Sequence, residues 1–237
     1  MRIVIDLQGA QTPYSRKRGV GRYTVELAKA MVHSSMGHEI VLALNGAFAD
    51  TIEEIRAEFD GILPQKNIRV WQQFFDTDAI NIKKLSRRKM GEILREAFLN
   101  SLEGDIIFST NLQEGFFDSA CTSVKLLPTN SLICSSLHDI TPLIYPHEYL
   151  NGSILRAWYD EKIDFVKKSD IVITDSQSSS SEISQNVGIP LEKIHIIYPS
   201  VNHGTFRTKC IGIDDKKKLL AQRNISRPFV MYAGGSD

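Results

Sequence analysis

Near the start of the chain stand the runs Ile3-Val4-Ile5-Asp6 and, after a polar loop, Gly19-Val20-Gly21-Arg22-Tyr23. The first run has the apolar, β-branched composition of a short buried strand. The second opens a segment in which Tyr23, Leu27 and Met31 recur at helical spacing, with charged residues on the other side. A strand that leads through glycines into an amphipathic helix is typical of a helix lying on a sheet.

The same alternation of short apolar runs and longer amphipathic stretches continues along the chain. Strands are predicted at residues 3–5, 39–44, 68–71, 105–109, 132–137, 171–174 and 194–197. Helices are predicted at residues 21–34, 50–59, 82–102, 154–168 and 178–186. Because strands and helices alternate, we predict an α/β fold with a doubly wound, mainly parallel sheet of the Rossmann-like kind.

Charge and cysteine content exclude several classes of protein. Lys plus Arg and Asp plus Glu each number 28 in 237 residues, so no basic field attracts a polyanion, and we predict no nucleic-acid partner. The cysteines Cys121, Cys134 and Cys210 are scattered, which fits neither a disulfide framework nor a zinc site. A reducing compartment and a mechanism without a metal are therefore expected.

Hydrophobic runs bear on where the protein is found. The apolar start is too short for a signal-peptide core, and no later run approaches the roughly 20 apolar residues of a membrane span. We expect a cytoplasmic protein, with peripheral attachment to the inner face of the cell membrane left open.

A glycine pair, Gly19 and Gly21, stands at the predicted head of the first helix. Glycines there let a ligand approach the backbone, and the free N–H groups with the helix dipole favour an anion such as a phosphate. The third glycine of the dinucleotide fingerprint is missing, so a plain tight turn explains the pair equally well. The basic run Arg16-Lys17-Arg18 before it fits a solvated loop as well as a binding loop.

A second constellation, His138 and Asp139, follows a predicted buried strand and precedes Thr141-Pro142. An imidazole and a carboxylate at the C-terminal edge of a parallel sheet face the crevice where ligands bind, and both can hydrogen-bond sugar hydroxyls. The structural alternative is an aspartate that caps a turn before proline and a histidine satisfied in the core.

A third motif, residues 169–176, predicts a strand whose polar end caps the next helix. Ser176 and Ser178 are the candidate N-cap residues, with Glu182 inside the first turns. We interpret this motif as structural.

The character of the sequence changes after Pro199. Residues 229–233 predict a strand that begins a second domain, and Gly234-Gly235 predicts a turn at its ligand-binding end. We therefore expect a first domain at residues 1–210, then a linker and the first strand of a truncated second domain at 211–237, with the chain stopping in the middle of a site.

Together these segments resemble glycosyltransferase family 4, especially the mannosyltransferases that build bacterial O-antigen and related polysaccharides. The resemblance rests on four segments in matching order and spacing: Ile5-Asp6, residues 19–24, residues 138–146 and residues 169–176. It implies the N-terminal half of a GT-B fold, in which two Rossmann-like domains face each other. The N-terminal domain of such enzymes holds the acceptor, and the C-terminal domain holds most of the nucleotide sugar.

The resemblance implies a retaining transfer of a hexose, mannose by preference and with GDP-mannose as donor substrate, to a growing polysaccharide or lipid-linked glycan. No other cofactor is expected. The implied roles are catalytic for His138 and Asp139, donor-binding for Gly19, Gly21, Arg22, Gly234 and Gly235, and acceptor-binding for Arg16, Lys17, Arg18 and Asn111.

Because the family's remaining donor contacts lie in its second domain, we expect these residues alone to be inactive and to self-associate through the exposed tail at 229–233. Two alternatives stay open. A non-catalytic glycosyltransferase-like binding module would have the same fold. A nucleotide-sugar dehydrogenase or epimerase is disfavoured, because Gly-x-Gly-x-x-Gly after the first strand and a Tyr-x-x-x-Lys pair are both absent.

Overall fold

A computed structural model of the protein describes residues 1–73, 75–200 and 211–231. The chain forms two compact units, Met1–Pro199 and Ser200–Asp237. The first unit contains a seven-stranded parallel sheet with the strand order β3-β2-β1-β4-β5-β6-β7. Its strands are β1 (Arg2–Asp6), β2 (Glu39–Asn45), β3 (Ile68–Trp71), β4 (Ile106–Ser109), β5 (Leu132–Ser136), β6 (Ile171–Thr174) and β7 (Ile194–Ile196).

Helices cover both faces of this sheet. In the described residues they are α1 (Gln8–Gln11), α2 (Gly19–His33), α3 (Ala49–Glu58), α4 (Leu85–Ser101), α5 (Thr141–Ile144), α6 (Pro146–Tyr149), α7 (Ser153–Lys168), α8 (Gln177–Val187) and α9 (Ile213–Gln222). All but α9 belong to the first unit. Cys121 and Cys134 are buried free thiols.

The central strand β1 shows why the sheet is buried on both faces. Its successive side chains Val4 and Ile5 are both fully buried, but they belong to two different hydrophobic clusters. Val4 packs in the cluster that includes Leu99 of α4 and Ile163 of α7, while Ile5 packs in the cluster that includes Ala28 of α2. Since neighbouring residues of a strand point to opposite faces, this division places α2 on one face and α4 and α7 on the other.

The predicted fold is confirmed. The seven strands predicted before Pro199 and the five predicted helices are present, with ends shifted by a few residues. The short helices α1, α5 and α6 and the helix α9 were not predicted. The expected domain boundary after residue 210 stays a prediction.

The strand predicted at residues 229–233 is not seen in its described part, and the start of a second domain there stays a prediction. Residues 229–231 have no strand conformation, and the side chains of Val230 and Met231 are 99% and 77% exposed. A strand needs a neighbour to satisfy its backbone, and in the described part of the second unit the regular element is α9. Tyr232, Ala233, Gly234 and Gly235 lie outside the described residues.

Helix α4 is unusual because it turns charged side chains toward the protein. Arg95 is 1% exposed and its guanidinium lies 2.6 Å from the carboxylate of Asp6, at the end of β1. One turn earlier, Glu92 is paired at 3.2 Å with Lys162, which is 1% exposed. Charges this far from water are tolerated only when they are paired and hydrogen-bonded, so these pairs fix α4 against β1 and α7.

Candidate functional site

The C-terminal ends of β1 and β4 lie side by side in the sheet, and the chain leaves them in opposite directions along it. In open α/β sheets the crevice at such a switch point is the usual ligand site. The loop after β1, residues 7–18, leads into α2, and the loop after β4 contains Asn111 and Glu114. Loops from β5 and β6 reach the same edge of the sheet.

A buried carboxylate, Glu114, joins two of these loops. The hydroxyl of Thr12 donates to one oxygen at 2.9 Å, and the side-chain amide of Asn111 donates to the other at 2.6 Å. Burial raises the pKa of Glu114 to about 7, although hydrogen bonds from Ser15, Thr12 and Asn111 act in the opposite direction. Sequence reasoning missed Glu114, because a single glutamate in a loop carries no periodic or motif signal.

Asn111 is only 9% exposed, and both ends of its amide are in use. Its nitrogen donates to Glu114, and its oxygen accepts from the backbone N–H of Gln113 at 3.1 Å. Asn111 therefore forms part of the wall of the crevice. Its predicted contact with an acceptor stays a prediction.

Gly21 fits closely against the loop that precedes α2. A Cβ atom at this position would lie 2.4 Å from the carbonyl oxygen of Ser15 and 2.5 Å from the Cα of Arg16. The N–H of Gly21 already donates to the Ser15 oxygen at 3.1 Å. The glycine therefore makes room for the protein's own loop, and its predicted donor-binding role stays a prediction.

Gly19 is different, since a Cβ there would meet nothing within 4 Å. It is the first residue of α2, and its exposed backbone marks the open end of the helix. A helix leaves its first N–H groups without intrahelical partners, and such groups attract anions. Of the predicted glycine pair, Gly19 therefore has the geometry that suits a ligand, and its donor-binding role stays a prediction.

We expect Gly21→Ala to lower the free energy of unfolding by about 1–3 kcal/mol relative to Gly19→Ala, because the new methyl group would displace the backbone of residues 15 and 16. Both substitutions gain the same helix propensity, so their difference isolates the steric effect. Urea unfolding of both variants and the parent measures it. Equal stabilities of the two variants would contradict the close contact.

His138 lies at the end of β5 and contacts the first turns of α2. Its ring meets that of Tyr23 edge to face, with centroids 4.9 Å apart, and its Nδ1 lies 3.5 Å from a carboxylate oxygen of Asp175. Burial lowers the pKa of His138, and the carboxylate of Asp175 offsets part of this effect. The structure thus brings together α2 and the ends of β5 and β6, as the sheet-edge prediction requires.

The contact between His138 and Tyr23 contains two polar atoms without a partner among the described residues. They are Nε2 of His138 and the hydroxyl oxygen of Tyr23, both buried. Buried polar atoms are rarely left unpaired in proteins, and each exception calls for an explanation such as a bound ligand. Tyr23 was interpreted from the sequence only as a core-facing helix residue, so its place beside His138 is new.

Asp139 caps a turn before a proline, which is the structural alternative given in the sequence analysis. It is exposed, and its carboxylate accepts a hydrogen bond at 2.8 Å from the N–H of Thr141, the first residue of α5. Ser176 is the observed N-cap of α8, with its hydroxyl oxygen accepting from the N–H of Ser179 at 3.1 Å. The catalytic role assigned to Asp139 stays a prediction.

The predicted basic residues before α2 and in its first turn differ in how exposed they are. Arg16 is paired at 2.7 Å with Asp50 next to the start of α3, so its charge is already partly used. Lys17, Arg18 and Arg22 are exposed. Their predicted roles toward acceptor or donor stay predictions, and the predicted donor contacts Gly234 and Gly235 lie outside the described residues.

A search of the described residues finds no group of three or more His, Cys, Asp or Glu side chains that could hold a metal ion. The same residues contain no helix that is both long and apolar enough to cross a membrane.

A parallel, doubly wound sheet with its polar crevice at this edge is the architecture of one half of a GT-B glycosyltransferase. The chain belongs to Glycosyltransferase Family 4, whose model matches residues 17–204. This membership confirms the resemblance drawn from the sequence motifs.

Curated relatives and a solved structure agree with that membership. The chain is 25% identical over 198 residues to the serotype-specific mannosyltransferase WbdA of Escherichia coli, covering 82% of this chain and 23% of that protein. A second mannosyltransferase of that name from Escherichia coli is 21% identical over 169 residues, which cover 71% of this chain and 21% of that protein. HepE of Anabaena, solved in complex with UDP, superposes with a TM-score of 0.52 at 15% identity, over 94% of this chain and 50% of that one.

The chain thus spans under a quarter of the length of these curated relatives and half of the solved HepE chain. It belongs to a family of glycosyltransferases, and its relatives include proteins named as mannosyltransferases.

Proposed function

We propose that this chain forms the acceptor-side half of a retaining mannosyltransferase that uses GDP-mannose and extends a bacterial polysaccharide or lipid-linked glycan. Two named relatives are serotype-specific mannosyltransferases, which supports mannose as the sugar. The UDP bound to HepE supports a nucleotide diphosphate as the leaving group. The cytoplasm, where nucleotide sugars are made and kept, is the location that we propose with it.

The observation that carries this proposal is the buried Nε2 of His138, which lacks a partner within the described residues, beside the equally unpartnered hydroxyl of Tyr23. A neutral imidazole can donate or accept one hydrogen bond at this atom, and a phenol can do both. Adjacent hydroxyl groups of a hexose offer both donors and acceptors. Because burial lowers the pKa of His138, its ring is neutral near pH 7, which suits a sugar hydroxyl better than a phosphate.

In the proposed reaction the bond between the anomeric carbon and the diphosphate oxygen breaks, and a bond from that carbon to an acceptor hydroxyl oxygen forms on the same face. The electron pair of the broken bond leaves with GDP, and the acceptor proton passes to the departing phosphate. We assign stabilisation of the charge on that phosphate to the open N-terminal end of α2 at Gly19, which the helix dipole and the free space there support. We assign no protein nucleophile.

The test is a transfer assay on the complete gene product that contains these residues, with radiolabelled GDP-mannose and a mannose-terminated oligosaccharide. We expect transfer with retained configuration, read by NMR of the product, and a loss of about a hundredfold in kcat for His138→Asn. His195→Asn is the matched control, because His195 lies exposed on β7, and it should leave kcat unchanged.

Three results would contradict the proposal. Transfer from another nucleotide sugar but not from GDP-mannose would change the donor, and inverted products would change the stereochemistry. An absence of transfer from any nucleotide sugar would favour the non-catalytic module.

A further inference from the structure

We propose that Asp175 is a positioning residue for His138: its carboxylate holds the ring proton on Nδ1, so that Nε2 accepts a hydrogen bond from a sugar hydroxyl. The carboxylate lies 3.5 Å from Nδ1, and Nε2 is buried without a partner among the described residues. This inference rests on the proposed function, because it concerns the same site. Asp175 belongs to the motif at residues 169–176, which the sequence analysis interprets as structural.

The backbone around Asp175 is fixed relative to His138. The N–H of Leu137 donates to the carbonyl of Ile173 at 2.8 Å, so β5 and β6 stay paired up to the residue before His138. The hydroxyl of Thr174, which is 1% exposed, donates to the carbonyl of His138 at 3.3 Å. These two hydrogen bonds set the distance between the strand ends that carry the ring and the carboxylate.

The residue after Asp175 is held by a helix cap. The hydroxyl oxygen of Ser176 accepts from the N–H of Ser179 at 3.1 Å and so caps α8. Asp175 thus stands between a buried strand residue and a cap, which leaves its backbone little freedom. Its side chain is 32% exposed, so water screens part of its attraction for the ring.

The charge of Asp175 selects one of the two neutral forms of the His138 ring. A neutral imidazole carries a single proton, on Nδ1 or on Nε2, and burial lowers the pKa of His138 so that this neutral ring predominates near pH 7. An anion beside Nδ1 favours the form with its N–H there. Asp139 also acts on the ring, but its carboxylate already accepts from the N–H of Thr141 at 2.8 Å. The Nδ1–H form leaves the lone pair of Nε2 unused.

This tautomer decides which ligand group His138 recognises. With its proton on Nδ1, Nε2 accepts a hydrogen bond and cannot donate one, so the ligand must bring a donor such as a hydroxyl. An ionised phosphate oxygen has no proton to offer. Burial raises the pKa of Tyr23 on α2, so the phenol beside the ring keeps its proton and can both donate and accept. The pair therefore suits the hydroxyls of a sugar better than a diphosphate.

The test reads the ring nitrogens of His138 directly, in two-bond ¹H–¹⁵N correlation spectra of the whole chain labelled with ¹⁵N-histidine. The His138 signals are those that disappear in His138→Asn. We expect the parent to show a protonated Nδ1 and an unprotonated Nε2. In Asp175→Asn the carboxamide can donate to Nδ1, so the proton should move to Nε2, and the pKa of His138 should fall further below its ordinary value.

A second measurement connects the tautomer to turnover in the complete gene product. Asp175→Asn should lower kcat by about tenfold to a hundredfold, and should lower it no further in His138→Asn, because both changes act on one group. Asp175→Glu keeps the charge and should restore the Nδ1–H tautomer. The matched control is Asp164→Asn on α7, whose side chain is 67% exposed and which should keep the tautomer, the pKa and kcat of the parent.

Three outcomes would overturn the proposal. They are a proton on Nε2 in the parent, an unchanged tautomer and pKa of His138 in Asp175→Asn, and losses of kcat for Asp175→Asn and His138→Asn that add in full. The spectra need no sugar donor, so they separate this proposal from the proposed function. The expected tautomers together with an absence of transfer would contradict the proposed function and still support the action of Asp175 on His138.

Discussion

Replacing Asp6 by Asn should lower the free energy of unfolding by about 3–5 kcal/mol, because it leaves the guanidinium of Arg95 buried without its counter-charge. Arg95 donates to Asp6 at 2.7 Å, to the hydroxyl of Ser109 at 2.7 Å and to the carbonyl of Ser123 at 3.0 Å. Asn keeps the size of Asp, but both Asp6 oxygens accept hydrogen bonds, one from the N–H of Gln8 and the other from the Gln8 amide and Arg95, so the change removes the charge and one acceptor. Equilibrium unfolding in urea near pH 7 measures the loss.

The control for this prediction is Glu39→Gln. Glu39 pairs with Arg2 at 2.9 Å, but both side chains are more than a third exposed, at 46% and 38%. Such surface pairs contribute about 0–1 kcal/mol, so the control should change stability little. A loss for Asp6→Asn no larger than that of the control would show that Arg95 reaches water or another anion.

Glu114→Gln should make the free energy of unfolding depend less on pH. The pKa of Glu114 is raised from 4.5 to about 7 in the folded chain. Between these values the folded protein keeps the proton that the unfolded chain loses, so the folded state loses stability as pH rises. The shift corresponds to about 3 kcal/mol. Gln resembles the protonated acid, and the stability of the variant relative to the parent should rise by up to that amount from pH 4.5 to 7.5.

The comparison requires urea unfolding of both proteins at several pH values across that range. Glu148→Gln, at an exposed glutamate of α6, is the matched control and should show a difference that hardly depends on pH. A pH-independent difference for Glu114→Gln as well would mean that the Glu114 carboxylate is ionised in the crevice throughout the range.

The sheet was predictable because parallel strands are covered on both faces and therefore appear as continuous apolar runs. Helix α9 was not, because no residue of it is buried and its first half is a run of charged residues. The orientation of α4 was equally hidden, since its inward charges are explained only by Asp6 and Lys162, which are distant in sequence.

Part of the site was predictable, because the order of strands and helices determines which residues lie at the ligand-binding edge of the sheet. The position of His138 at the end of a strand follows from the order of the elements, and the structure confirms that it meets α2 through Tyr23. Glu114 and the close contact of Gly21 depend on how two loops fold over one another. Loop conformation is set by tertiary contacts, and a single sequence gives no pattern for them.

The central position of β1 affects how this protein folds during synthesis. Ile3 on β1 pairs with Ile40 on β2 early, but its other neighbour, Ile106 on β4, follows about a hundred residues later in the chain. At a translation rate of about 5–20 residues per second, one edge of β1 stays unpaired for several seconds until β4 has been synthesised. Loop closure over that length slows the pairing further. The nascent chain therefore passes through a stage with an exposed apolar strand edge, at which chaperone binding matters most.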